Sequence, residues 1–172
     1  MMSVYKLLSL LLDYPRDELK KHLPEIRAAL AQSDASDDER DLVDRFLGWL
    51  ERIDLIDLQA EYVATFDLDA RHSLHLTHHI LGDDKNRGPA LIDMDEYYRA
   101  YGLEPISGEL PDYLPLMLEF AATLETTEAR LFLSHVRKVL TMLAANLEET
   151  ASPWAPLVRL VENRATLAPV SA

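Results

Sequence analysis

Four histidines, His72, His75, His78 and His79, crowd the stretch "RHSLHLTHHILGDD". At helical spacing His75 and His79 share a face, an arrangement that lets two imidazoles hold one zinc ion. The third ligand is the difficulty. Ser73 is the predicted N-cap of a short helix ending near Gly82, which leaves His72 before that helix and Asp83 beyond the glycine. No glutamate stands between the pair to serve as a general base. The simpler reading is a set of histidines packed or hydrogen-bonded on a half-buried helix. A metal-dependent hydrolase using His75, His79 and a carboxylate is the alternative.

Other chemistries fail on residue type. The chain contains no adjacent His-Asp pair and no cysteine, so a His-Asp phosphohydrolase, a thiol nucleophile, thiolate zinc sites and disulfides are all excluded. No serine has the glycine framing of a nucleophile elbow. "GDDKNRG" has too few glycines for a phosphate cradle and no strand before it. Arg87 with Asp83 and Asp84 is therefore read as a loop-ordering ion pair.

The elements that must position these residues are helical throughout, because apolar residues recur at helical spacing and no alternating β-branched run survives inspection. The predicted class is all-α, a compact bundle of about seven to nine helices. The first helix covers Val4 to Leu12. Pro15 starts a second, which Pro24 divides. Ser36 and Glu39 form a capping box opening a helix to about Ile53 that buries Leu42, Val43, Phe46, Leu47 and Leu50. From Asp54 to Phe66, the residues Leu55, Leu58, Tyr62 and Phe66 make one stripe, with Asp57 and Glu61 pointing elsewhere. Pro89 opens a helix that Gly102 closes. Asp112 caps the next, which is expected to run to about Glu125. One long helix is expected from Thr126 or Thr127 to about Glu149, and Ser152 with Pro153 opens the last.

Residues 1–172 read as a single domain, and the break at 103–112 is where two lobes would hinge. The N-terminal run "MMSVYKLLSLLLDYP" is too short to span a bilayer and has no small-x-small cleavage site, so the chain is expected to be neither secreted nor a membrane protein. Seventeen basic residues against 30 acidic ones give a net charge of −13. That field repels nucleic acid and anionic lipid, and it attracts cationic segments of other proteins. Two aromatic sets, Tyr62 with Phe66 and Tyr97, Tyr98 with Tyr101, are either core or the apolar wall of a groove for a partner segment, rimmed by Asp67, Asp69, Asp83 and Asp84.

Four separated motifs carry a resemblance: "LLDYP" at 11–15, "DLQAEYVATFDLD" at 57–69, "SLHLTHHILGDDKNRGPALIDM" at 73–94 and "ELPDYLPLMLEF" at 109–120. Together they resemble the NarJ-type chaperones, also called the delta subunit of respiratory nitrate reductase, and more distantly the TorD and DmsD group of redox-enzyme maturation chaperones. The resemblance implies a cytoplasmic all-helical chaperone, monomer or weak homodimer, that is not an enzyme and binds no cofactor stably. Its partner would be the apo catalytic (alpha) subunit of nitrate reductase, held through an arginine-bearing N-terminal segment and kept competent for molybdenum cofactor insertion before membrane attachment. Residues carried over for partner binding are Tyr62, Phe66, Asp67, His79, Asp83, Arg87 and Asp112, with Asp69 and Asp84 added from the acidic rim. Gly82, Gly88, Leu110 and Pro111 are carried over as structural. At His75 and His78 the chain departs from the family's usual tyrosine and glutamate, and at Leu81 from a frequent histidine.

Overall fold

The computed structural model describes residues 2–82, 84–103 and 109–166. Eleven α-helices, nine of them at least seven residues long, follow one another with no β-strand among the described residues. They are α1 (Val4–Leu12), α2 (Asp17–Lys21), α3 (Leu23–Ala31), α4 (Asp37–Arg52), α5 (Leu55–Tyr62), α6 (Leu76–Leu81), α7 (Arg87–Ala100), α8 (Leu114–Ala121), α9 (Thr126–Ser134), α10 (Arg137–Glu149) and α11 (Ala155–Arg164). The all-α class and the compact bundle are as the periodicity predicts.

The capping box is present: Ser36 accepts from the Glu39 N–H at 3.2 Å, while the Glu39 carboxylate accepts from the Ser36 N–H at 2.9 Å. Pro24 lies in the first turn of α3, where no intrahelical donor is lost. One buried cluster joins α1, α4, α8, α10 and α11 through Leu8, Leu47, Leu118, Leu143 and Leu157, none of them exposed. The pairs α1–α8 and α10–α11 pack closely. At its centre stands Trp154, 1% exposed, with Phe46, Trp49, Tyr62 and Phe66 ring centroids 5.2–6.3 Å away. Edge-on aromatic packing of this kind adds to the area buried.

Three expectations are corrected. The long helix of 126–149 is two helices, broken at His135 and Val136. The Ser134 hydroxyl bonds the Leu131 carbonyl at 2.6 Å, and Val136 N–H reaches Leu133 O, so the last turn tightens and the ladder stops. Helix α7 begins at Arg87, two residues before Pro89. Asp112 does not cap α8, whose N-cap is Tyr113; its carboxylate serves a different helix, as described below. After α5 the chain widens into a π-helical turn over Val63–Asp67, with Leu68 N–H bonded to Val63 O at 3.0 Å, and this turn sets the Phe66 ring 4.7 Å from that of Tyr62.

Candidate functional site: an acidic cleft beside a buried carboxylate

The end of α1, the π turn after α5 and the segment entering α8 meet in a polar cleft of about 220 Å³ lined by Asp13, Arg16, Tyr62, Asp67, Glu109 and Tyr113. A second hollow of about 340 Å³, sharing Asp13, Arg16, Glu109 and Tyr113, continues it along Lys6, Leu116 and Glu119. Among the described residues, three carboxylates of the first hollow, on Asp13, Asp67 and Glu109, face one guanidinium, Arg16, which lies 3.9 Å from Asp13. The balance is negative, a field that attracts cationic groups.

Two phenols order the cleft floor. Tyr113 donates to Asp13 Oδ1 at 2.9 Å, and Tyr62 donates to the Leu12 carbonyl at 2.8 Å. With both protons so placed, the 3.1 Å contact between the two phenol oxygens has no proton of its own. Burial raises both phenols well above their ordinary value. Both hydroxyls therefore stay neutral and act as fixed dipoles. His75 stacks on Tyr113, with centroids 5.0 Å apart and planes at 28°.

Behind the cleft lies Asp112, wholly buried. Its Oδ2 accepts from Thr77 N–H at 3.0 Å and from Thr77 Oγ1 at 2.6 Å, and its Oδ1 lies 3.3 Å from His75 Nδ1. Arg87 Nη2 stands 3.6 Å away, while Arg87 Nε donates to Thr77 Oγ1 at 3.0 Å. Burial alone would raise this carboxyl, but the hydrogen bonds from His75 and Thr77 prevail and hold it below the usual range. Backbone pairs frame the node: Leu76 N–H bonds Asp112 O, Leu114 N–H bonds Leu74 O, and His75 pairs with Tyr113 in an isolated antiparallel bridge.

The histidines separate rather than gather. His75 is the N-cap of α6 in an extended conformation, so it does not share a helix face with His79 as the spacing predicts, and Ser73 accepts from His75 N–H instead of capping the helix. His79 Nε2 donates to Ser73 O at 2.7 Å, and burial lowers this imidazole from its ordinary value. His72 is buried between the carbonyls of Thr65 and Asn146, tying the turn at Ala70–His72 to α10. Among the described residues no three His, Cys, Asp or Glu side chains gather to hold a metal ion.

Other predicted residues fall as follows. Tyr62 and Phe66 belong to the core, 3% and 6% exposed, with only their edges on the cleft. Asp67 is exposed on its rim. Asp69 caps the turn at Ala70–His72 and pairs with Arg71 at 2.9 Å; the Arg71 hydrogen bonds bring its carboxyl down to about 2. Asp84 accepts from the Asn86 N–H, and Arg87 turns to Thr77 and Asp112 rather than to Asp84, because the buried carboxylate is the better partner. Asp83 lies outside the described residues. Gly82 closes α6 at φ 52°, a conformation that side chains rarely adopt. A Cβ on Gly88 would meet no atom of the described residues within 4 Å, so they give no steric reason for glycine there. Leu110 is half exposed, and the carbonyl of buried Pro111 accepts the Tyr98 hydroxyl at 2.6 Å. Asp13, Glu109 and Tyr113 were missed, although all three stand inside the motifs "LLDYP" and "ELPDY". Asp13 reads in sequence only as the end of an apolar run.

The second aromatic set lies elsewhere. An apolar groove of about 350 Å³ runs between α7, α8 and α9, lined by Met94, Tyr97, Met117, Leu131, Phe132 and Val136, with Asp93 and His135 also in its lining.

The nitrate reductase delta subunit family matches residues 13–159. The chain is 36% identical over 156 residues to the nitrate reductase molybdenum cofactor assembly chaperone NarJ of Escherichia coli, covering 90% of this chain and 66% of that protein. It is 34% identical to a probable chaperone of the same description from Bacillus subtilis, over 91% of this chain and 85% of the relative. It is also 37% identical to the nitrate reductase-like protein NarX of Mycobacterium tuberculosis, over 92% of this chain but only 24% of that protein. The chain thus spans slightly under two thirds of the Escherichia coli relative. A match over most of its length, with the motifs around Asp13, Tyr62, Asp112 and Tyr113 meeting at one cleft, makes this chain a member of the nitrate reductase delta subunit family.

Proposed function

We propose that this protein is a cytoplasmic assembly chaperone for a respiratory nitrate reductase and catalyses no reaction itself. It binds the N-terminal segment of the apo catalytic subunit and keeps that subunit open to molybdenum cofactor insertion before membrane attachment. The observation that carries this reading is the acidic cleft: Asp13, Asp67 and Glu109 against the single guanidinium of Arg16, over two neutral phenols. A client arginine entering there would displace Arg16 from Asp13 and gain a second carboxylate. Asp112, His75, Thr77 and Arg87 act as positioning residues, because they lock the start of α6 to the start of α8. His79 holds the loop before α6 through Ser73. Asp69 and Asp84 are already engaged locally and contribute only to the field. The relatives named as assembly chaperones support the same reading, and no described helix is long and apolar enough to cross a membrane. The whole of 1–172 serves as one working unit, monomeric or weakly dimeric.

The test is affinity purification of the tagged chain from nitrate-respiring cells with mass spectrometry, beside calorimetry with a peptide of the client N-terminus. The expected result is recovery of the catalytic subunit and preference for the arginine peptide over its glutamine analogue. Absence of that subunit, together with equal affinity for both peptides, would overturn the reading.

A further inference from the structure

The arginines that tie this fold together are each fastened by two contacts. Arg164 meets both oxygens of Glu39 at 2.9 and 2.7 Å, and Arg71 meets both oxygens of Asp69 at 3.1 and 2.9 Å. Arg27 bridges Asp44 and Glu51, and Arg159 bridges Glu148 and Glu162. Arg16 is held differently. It shares its cleft with three carboxylates, yet among the described residues it closes on none of them within hydrogen-bond distance. Its Nη1 stops 3.9 Å from Asp13 Oδ2 and donates only to the Tyr14 carbonyl, at 3.4 Å. Its Cζ lies 5.5 Å from the centroid of the Tyr14 ring, and the side chain is 64% exposed. Exposed contacts of this length hold a guanidinium weakly.

The backbone beneath that loose head is fixed. Gln59 Nε2 donates to the Pro15 carbonyl at 2.9 Å, Leu19 N–H bonds Arg16 O at 3.0 Å, and Lys20 binds the carbonyls of Leu50 and Ile53 at the end of α4. The Tyr14 ring is fixed too, packed edge-on against Tyr62 at 5.6 Å and 84°. The acceptors in front of the guanidinium are unfilled. Asp13 gives Oδ1 to the Tyr14 N–H and to the Tyr113 hydroxyl, both at 2.9 Å, and its Oδ2 accepts no hydrogen bond among the described residues. Asp67 and Glu109 are in no ion pair among the described residues. A guanidinium on a fixed base beside unfilled carboxylates is a tethered ligand, present at high effective concentration whenever the cleft is free. An incoming guanidinium must compete with it, so the apparent affinity falls with the fraction of molecules in which Arg16 has swung away.

We infer that Arg16 is an internal competitor of the acidic cleft: the chain's own guanidinium occupies the place of the client's, weakens its binding and returns when it leaves. This rests on the proposed function, and the experiment separates the two. Fluorescent peptides of the client N-terminus, native and with arginines changed to glutamine, are titrated at low and physiological salt. The proteins are the full chain, Arg16→Gln and Lys21→Gln, each first shown to melt like the parent. Lys21→Gln removes one positive charge from the same helix outside the cleft, where Lys21 pairs with Asp17 at 2.7 Å. The expected result is that Arg16→Gln binds the native peptide about fivefold tighter at both salt concentrations, the most that one exposed ion pair is worth, and binds the glutamine peptide as the parent does. Lys21→Gln stays within about twofold of the parent. The Arg16 Nε–H resonance of the parent, assigned by its loss in Arg16→Gln, shifts on saturation with the native peptide and not with the glutamine peptide. Binding by Arg16→Gln that is no tighter than the parent's, or an unmoved Arg16 resonance, overturns the competitor while a parent that still prefers arginine leaves the proposed function standing. An equal gain in Lys21→Gln makes the effect one of net charge and also overturns it. Equal affinity of the parent for both peptides overturns the recognition of arginine in this cleft and the competitor with it.

Discussion

The carboxylate of Asp112 caps a helix that begins 36 positions before it: Oδ2 accepts the Thr77 N–H at 3.0 Å, in the first turn of α6, and the Thr77 hydroxyl at 2.6 Å. Helix α6 has six residues and no side-chain cap from its own N-cap residue, so its existence depends on a partner brought by tertiary folding. The same carboxylate holds His75 and draws Arg87. One buried group therefore sets where α6, α7 and α8 begin relative to one another.

Removing that group should unfold more than a contact. Asp112→Ala leaves Thr77 N–H and the His75 ring without their acceptor and should cost about 3 kcal/mol, at about 1–3 kcal/mol for each stranded group. A double-mutant cycle with Thr77→Val should give a coupling of about 1 kcal/mol or more in urea unfolding. Additive losses would mean that the two side chains act independently.

Acid should find a different seam. Glu39 accepts from Arg164 through both oxygens, Nε–Oε1 at 2.9 Å and Nη2–Oε2 at 2.7 Å, while capping α4. Burial pushes this carboxyl up, but the Arg164 and Ser36 hydrogen bonds outweigh it and hold it below the usual carboxylate range. A lowered carboxylate contributes stability that is present above its unfolded value and is lost as pH falls through the folded one. Urea midpoints should therefore drop between pH 5 and the folded value, and Glu39→Gln should flatten that part of the curve; an unchanged slope would remove Glu39 from the acid transition.

Tyr62 divides packing from hydrogen bonding. Its ring lies 4.7 Å from Phe66 and 5.7 Å from Trp154, and its hydroxyl bonds Leu12 O at 2.8 Å. Tyr62→Ala should cost about 3–5 kcal/mol as a core aromatic truncation, and Tyr62→Phe about 1 kcal/mol for the lost hydrogen bond. If both variants melt within 2 °C of the parent, the ring is not part of the core.

Carboxylates of the cleft should steer the client more than they hold it. Asp67→Asn with Glu109→Gln should slow association of an arginine peptide markedly at low salt and change dissociation less, because exposed charges act through a screened field. Asp69→Asn should have almost no effect, since Arg71 already neutralises it at 2.9 Å. Stopped-flow rates across a salt series distinguish these; an Asp69→Asn effect equal to the double variant's would place the acidic site at Asp69 instead.

What the sequence determined by itself was local. Apolar spacing sufficed for the helical class and for α1, α4 and α11, and Ser36 with Glu39 sufficed for a capping box, because those signals act within one or two turns. The four motifs that carry the family resemblance were also legible, since each is a short run of residue types. The tertiary structure decided everything that depends on a partner distant in the chain. It gave Asp112 to Thr77 rather than to the helix that Asp112 precedes, took Arg87 from Asp84 to Asp112, and placed His75 before α6 instead of on the face of His79. It also buried Tyr62 and Phe66 against Trp154 while leaving Tyr97 and Leu131 open, a choice that helical periodicity cannot make because both faces carry the same residue types. Periodicity records which residues share a side of a helix; only the other helices decide whether that side meets protein or solvent.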